Sequence, residues 1–312
     1  METYQLYIDG AFTDAEDGAT APSINPYNGE PVANIPVASV ADAERAIAAA
    51  RNAFDNGPWR SMPGAERGEL IGKLSAIMKE RSKELAVNES RDSGGTIVKC
   101  GADAYLAQRQ MAYFGQMAAN YNAEAKEIEG MSREGRSYNY TIREPIGVCA
   151  SIIPWNFPLL MGVWKLGPAL ATGNTIVLKP ASDTPLNALE LARIVDEVGF
   201  PPGVVNIISG PGGVIGEVLT TSPLVDKVAF TGSTEVGRDI MAKAAATLKK
   251  VTLECGGKAA NIILEDADWD VAVDGSIWAA FYHQGQVCES GTRLLLSKKD
   301  HDGFVEQMVE KL

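Results

Sequence analysis

The chain has 312 residues, 46% of them hydrophobic, with a net charge of −12. That length predicts more than one domain and a sizeable core. The acidic balance argues against nucleic acid or an anionic membrane as partner, because both attract basic surfaces. Four cysteines, Cys100, Cys149, Cys255 and Cys288, form no CxxC pair, which fits a reducing compartment. With two histidines, His283 and His301, neither a His-rich metal site nor a Ser-His-Asp triad is expected. The first residues lack a basic stretch followed by an apolar one, and no apolar run is long enough to cross a membrane. A cytoplasmic location is the expectation.

Residues 4–37 read as short extended pieces broken by Gly10, Asn25-Pro26, Asn28-Gly29 and Pro36. Ser39 and Asp42 mark a helix start, and the alanine-rich run through Phe54 is helical. Two further helices are predicted over 64–91 and 98–120. Tyr105, Met111, Phe114 and Met117 fall at helical spacing on the second and read as core. Residues 126–143 change character. Ser137–Arg143 alternates and is β-prone, so a protruding hairpin is predicted, one that needs another chain to cover it.

From 146 onward the pattern is βαβα. Strands are predicted at 146–153, 175–178, 204–208, 225–230 and 250–253. Helices fall at 158–171, 212–221 and 234–247, and one opens at Thr184-Pro185 with threonine as its cap. Apolar strands alternating with helices imply a doubly wound parallel sheet, with ligands at the carboxyl ends of its strands. Strands at 259–264 and 293–296 and helices at 268–282 and 301–312 begin a second α/β unit.

Three segments carry chemistry. Cys288 sits in Gln284-Gly285-Gln286-Val287-Cys288-Glu289-Ser290-Gly291-Thr292-Arg293. Only a thiolate attacks a carbonyl, so an electropositive setting or a nearby base is required there. By itself the cysteine is as readily a small buried hydrophobe. Glu254, before Gly256-Gly257, ends a strand where a general base could point into the crevice, though most glutamates are surface groups. Asn156 lies in Pro154-Trp155-Asn156-Phe157-Pro158. The flanking prolines would fix it as an oxyanion donor, while the plainer reading is a turn asparagine. Gly232-Ser233-Thr234-Glu235-Val236-Gly237 follows a strand and opens a helix, a weak signal for a pyrophosphate cradle. Lys179 ends another strand and could bond a ribose or phosphate. Cys100, Cys149 and Cys255 read as packing residues. Cys255 lies close enough in sequence to the presumed base to raise the prospect of a disulfide with Cys288 on oxidation.

Jointly these strings resemble the NAD(P)-dependent aldehyde dehydrogenases of the hydrolytic, non-acylating branch. The resemblance implies a Rossmann-like dinucleotide domain over 1–125 and 144–255, an oligomerisation hairpin at 126–143, and the start of a catalytic domain at 256–312. It makes Cys288 the nucleophile, Glu254 the base for the hydrolytic water, and Asn156 with the Cys288 amide the oxyanion hole. Lys179 would hold the adenine ribose and Ser233 the pyrophosphate. Ile153, Trp155, Thr231, Gly232 and Gly237 would line the cofactor, and Lys165 would stand near a proton-exit route. Ser182 stands where many members carry a glutamate, so NADP is expected to be tolerated alongside NAD.

The implied reaction takes an aldehyde through a thiohemiacetal and a thioester to an acid. The implied assembly is a homodimer or homotetramer. Members continue well past the nucleophile, so little turnover is expected of 1–312 alone. The competing reading is a silent chain that retains nucleotide binding or subunit pairing. A cysteine hydrolase using His283 is disfavoured.

Overall fold

The structure, a computed structural model, describes residues 1–120 and 142–312. Residues 2–36 supply β1 (Glu2–Thr3), β2 (Leu6–Ile8), β3 (Ala11–Thr13), β4 (Thr20–Ile24) and β5 (Pro31–Pro36). Four helices follow: α1 (Val40–Asp55), α2 (Gly64–Glu80), α3 (Ser82–Ser93) and α4 (Ile97–Asn120). The alternating part runs β6 (Val148–Ile152), α5 (Pro158–Ala171), β7 (Thr175–Lys179), α6 (Leu186–Val198), β8 (Val205–Ile207), α7 (Glu217–Thr221), β9 (Lys227–Gly232), α8 (Thr234–Ala244) and β10 (Lys250–Cys255). β11 (Ala260–Ile262), α9 (Trp269–Phe281), β12 (Arg293–Leu295) and α10 (His301–Lys311) complete the chain.

The chain divides into two compact units. Unit 1 holds Met1–Phe230 and Ile240–Thr252; unit 2 holds Thr231–Asp239 and Leu253–Leu312. The main sheet has the order β10-β9-β6-β7-β8-β2-β3. β9, β6, β7 and β8 run parallel, while β2 and β3 add an antiparallel edge. β6 is followed by β7 and β8 on one side and by β9 and β10 on the other. Strand order therefore reverses at the β6–β9 pair, where Ile152 faces Phe230. This is the Rossmann-like, doubly wound α/β architecture that the βαβα pattern implies. β6, β7 and β8 are buried at every residue, as strands covered on both faces must be.

Local sequence explains several elements. Ser39 and Asp42 form a reciprocal capping box on α1: the Asp42 amide donates to Ser39 Oγ at 3.2 Å, and the Ser39 amide to Asp42 Oδ2 at 2.8 Å. Pro158 takes the first position of α5, where its missing N–H costs nothing.

Other expectations are corrected. The helix predicted over 64–91 is two helices broken at Arg81, where ψ reaches 12°. Thr184 does not cap α6. Pro185 holds the cap position, and the free Leu186 amide donates instead to Asp92 Oδ2, 94 residues away, at 2.9 Å. On α4, Met111 is fully buried, whereas Tyr105 is 52% exposed, so the stripe is only partly core. β10 alternates exposed and half-buried residues because it forms the sheet edge. The hairpin predicted at 126–143 falls on residues outside those described, apart from 142 and 143, which have no regular structure. Among the described residues, no helix is long and apolar enough to cross a membrane, and no cluster of three metal-ligating side chains occurs.

Candidate active site

In unit 1 the candidate residues follow strands β6 and β7. Beyond β6, the Ile153 amide donates to the Lys179 carbonyl at 3.0 Å, tying the turn to the end of β7. Trp155 is 45% exposed, Asn156 half-buried, and Phe157 buried. Lys165 lies half-buried on α5. Lys179 is 3% exposed, and burial pushes its ammonium down to about 8. Its amine makes one hydrogen bond, to the Pro180 carbonyl at 2.7 Å. An ammonium has three protons to give, so the group can still serve a ligand oxygen. Ser182 is exposed, and its hydroxyl donates to the Gly210 carbonyl at 2.9 Å.

In unit 2 the carboxyl end of β9 leads into α8. Ser233 caps that helix: Oγ accepts from the Val236 amide at 3.3 Å, and its carbonyl from the Gly237 amide at 3.0 Å. Thr231 is buried, and its hydroxyl has no hydrogen-bond partner among the described residues. An orphaned buried hydroxyl costs free energy unless a ligand or water meets it. Gly232 is half-buried. Gly237 has a structural reason. A Cβ there would meet Cys255 Sγ at 3.0 Å, so Cys255 packs against the first turns of α8.

Glu254 and Cys288 belong to two segments of unit 2 that run side by side. β11 and β12 are parallel, with Ala260 opposite Arg293, and Arg293 Nε donates to the Lys258 carbonyl at 2.8 Å. That register brings the residues preceding each strand together. A methyl group at Gly257 would sit 3.9 Å from the Cys288 carbonyl oxygen. Glu254 is exposed at the edge strand. Cys288 is exposed in a turn closed by the Ser290 amide on the Val287 carbonyl at 3.3 Å. The approach to this turn is strained: His283 and Gln284, both non-glycine, have φ of 49° and 55°, and Gly285 has 75°. Such conformations persist where surrounding structure imposes them, and they concentrate at functional sites.

Of the two settings expected for the thiol, the carboxylate is the one beside it: Sγ donates to Glu289 Oε2 at 2.9 Å. Partial burial and then Glu289 raise its pKa, which works against the thiolate. The sequence showed Glu289 beside Cys288 but not which way its side chain turns.

A family model described as the aldehyde dehydrogenase family matches residues 12–312. The chain belongs to the aldehyde dehydrogenase family. The betaine aldehyde dehydrogenase of Bacillus subtilis (strain 168) is 42% identical over 306 residues, covering 98% of this chain and 62% of its own length. Human mitochondrial aldehyde dehydrogenase is 43% identical over 310 residues, 98% of this chain and 59% of the relative. Among solved structures, the betaine aldehyde dehydrogenase of Staphylococcus aureus in complex with NAD+ superposes with a TM-score of 0.94 at 37% identity, over 99% of this chain and 60% of that one. An NAD-dependent aldehyde dehydrogenase from Sinorhizobium meliloti reaches 0.95, also at 37%, over 99% and 61%. The chain thus spans about three fifths of the length of these aldehyde dehydrogenases.

Proposed function

We propose that this aldehyde dehydrogenase oxidises an aldehyde to a carboxylic acid with NAD or NADP. The observation that carries the proposal is the pairing within unit 2: an exposed cysteine in a turn reached through strained backbone, with Gly257, three residues after Glu254, beside its carbonyl.

The residues of each unit fit a dinucleotide. Lys179 is a buried amine at a strand's carboxyl end with protons to spare. The capped amino end of α8 offers backbone N–H groups and a favourable dipole to phosphate. Thr231 supplies an unmatched buried hydroxyl. Lys179 would hold the adenine ribose and Ser233 the pyrophosphate, with Ile153, Trp155, Thr231, Gly232 and Gly237 along the cofactor. When bound, the nicotinamide supplies hydride acceptance.

The chain's own groups do the rest. Cys288 must first pass its proton to a base, and the Glu289 carboxylate is the one within reach at 2.9 Å, because the thiol is no nucleophile. The thiolate then adds to the carbonyl carbon, and the resulting oxyanion is met by the Asn156 amide and the Cys288 N–H. Loss of hydride leaves a thioester. Glu254 takes a proton from water, whose oxygen attacks that carbon and expels the thiolate, releasing the acid. Lys165 is proposed to stand near the proton's way out.

At position 182 a serine replaces a carboxylate. A carboxylate at ~4 Å from a 2′-phosphate would repel it by about 4 kcal/mol at an effective dielectric of ~20. Ser182 imposes no such repulsion, so NADP is accepted. Comparison of kcat/KM for the two cofactors, in the wild type and in Ser182→Glu, tests this. A strong NAD preference unchanged by the substitution would contradict it. The assembly is proposed to be a homodimer or homotetramer, which light scattering on the purified protein decides.

Formation of reduced cofactor and acid, lost in Cys288→Ala, tests the activity itself. A second reading, a chain that binds dinucleotide without turnover, is favoured by the Glu289 carboxylate against Cys288, which works against the thiolate. Saturable NAD binding with no acyl group ever reaching Cys288 would establish it.

A further inference from the structure

A cluster of deeply buried charges in unit 1 lies on α3 and α4 and surrounds one ammonium. Lys99 Nζ sits 3.0 Å from Glu89 Oε1 and 2.7 Å from Asp103 Oδ2, with all three side chains at 2% exposure or less. It donates hydrogen bonds to Glu89 Oε1 and, at 2.9 Å, to the Asn156 carbonyl, and its charge lies 4.3 Å from the centre of the Phe157 ring. The other oxygen of Glu89 accepts from the Leu159 amide at 3.1 Å and from Asn187 Nδ2 at 3.0 Å.

Burying charges this completely is costly unless the geometry satisfies them, and it seldom stabilises a fold better than apolar packing of the same volume. What the cluster does uniquely is local. α5 has no side-chain cap of its own. Glu89 supplies a distant carboxylate at its second residue, while Lys99 holds the carbonyl two residues before its first. One ion pair thus grips both sides of the 154–158 turn, and the Ile153 bond to Lys179 anchors its start. The peptide that carries the Asn156 side chain is therefore held by groups outside the turn.

We propose that the buried Glu89–Lys99 pair, supported by Asp103, is a positioning device that fixes the 154–158 turn and so aims the Asn156 amide at the developing oxyanion. This rests on Asn156 being the oxyanion donor, as in the proposed function. Preorganised donors owe their effect to being fixed before the reaction, so loosening the turn lowers kcat rather than substrate affinity.

The test is a double-mutant cycle on the full protein with NAD bound. Lys99→Met should lower kcat about 10- to 100-fold with KM within about threefold, a fraction of the loss from removing one oxyanion donor. Amides of 153–161 should exchange with deuterium at least tenfold faster. In Asn156→Ala, adding Lys99→Met should cost almost nothing more, because the two act through one group. If Lys99→Met misfolds, Lys99→Met/Glu89→Gln, which leaves a neutral pair, takes its place. Losses that multiply in the cycle, or unchanged exchange of 153–161, would overturn the positioning role. Where turnover is too slow to follow, exchange alone decides. If Asn156→Ala leaves kcat intact while Cys288→Ala abolishes activity, the oxyanion assignment fails, and the positioning role with it. If Cys288→Ala also keeps activity, the proposed function itself is wrong.

Discussion

Unit 1 encloses Trp59, Ile71, Leu74, Met78, Leu85 and Met111 completely, and the central strands of its sheet are buried at every residue. In unit 2, Val273 and Phe304 are the apolar side chains buried in full among the described residues, while Ile262, Leu264, Val271, Trp278 and Phe281 are each more than half exposed. The proposed nucleophile and base are in unit 2; Asn156, Lys179 and Ser182 are in unit 1. The groups that need fixed positions thus rest on the heavily packed unit, and the thiol that must change protonation state rests on the lightly packed one.

Core substitutions break this comparison most sharply. Trp59→Ala removes a side chain with no exposure, its ring tilted 57° against Phe200 and bonded through Nε1 to the Asn174 carbonyl at 3.0 Å. It should cost about 3–5 kcal/mol in chemical denaturation. Phe304→Ala should abolish near-ultraviolet ellipticity and exchange protection in unit 2 while β6, β7 and β8 stay protected, since little else fills that core. Equal loss in both units would mean they fold as one.

A smaller effect separates them by pH. Asp92 is buried against Ser23 and Leu186, and burial pushes its carboxyl up to about 7, against the pull of those two hydrogen bonds. An acid raised on folding contributes stability that is complete below its unfolded value near 4 and is lost as pH rises through 7. Asp92→Asn should therefore gain on the wild type between pH ~4 and ~8 by a few kcal/mol, a difference read from urea midpoints at each pH. A constant difference across that range would contradict the assignment.

In unit 2 the corresponding change is modest. Glu289→Gln removes the charge that holds the Cys288 proton, so the pH profile of thiol alkylation should shift to lower pH. An unshifted profile would mean that Glu289 turns away in solution. Smallest of all, Trp278→Ala, 64% exposed, should change stability by less than about 0.5 kcal/mol.

Much of the architecture was legible because it is local. Alternation of apolar strands with helices, the Ser39–Asp42 box and Pro158 at a helix start are each written within a few residues. What escaped depended on groups far apart in sequence. Thr184 looked like a cap by position, but Asp92 supplies the acceptor from α3. Lys99 carries no signal in the sequence, where no spacing says that Glu89 and Asp103 close around it. Gly237 in the strand-to-helix turn suggested phosphate, whereas its lack of a side chain is also what admits Cys255. Within the candidate site the residue types were readable at Cys288, Glu254 and Asn156. The Glu289 contact that opposes the thiolate was not, because it depends on one rotamer of Glu289.

The central claim is that Cys288 carries the acyl group. The most direct measurement mixes the Glu254→Gln protein, in which hydrolysis is slowed, with NAD and a simple aldehyde, then digests it for peptide mass spectrometry. The account predicts one equivalent of reduced cofactor and an acyl group on the peptide containing Cys288. Acylation of Cys255 or Cys149 instead, or undiminished aldehyde oxidation by Cys288→Ala, would contradict it.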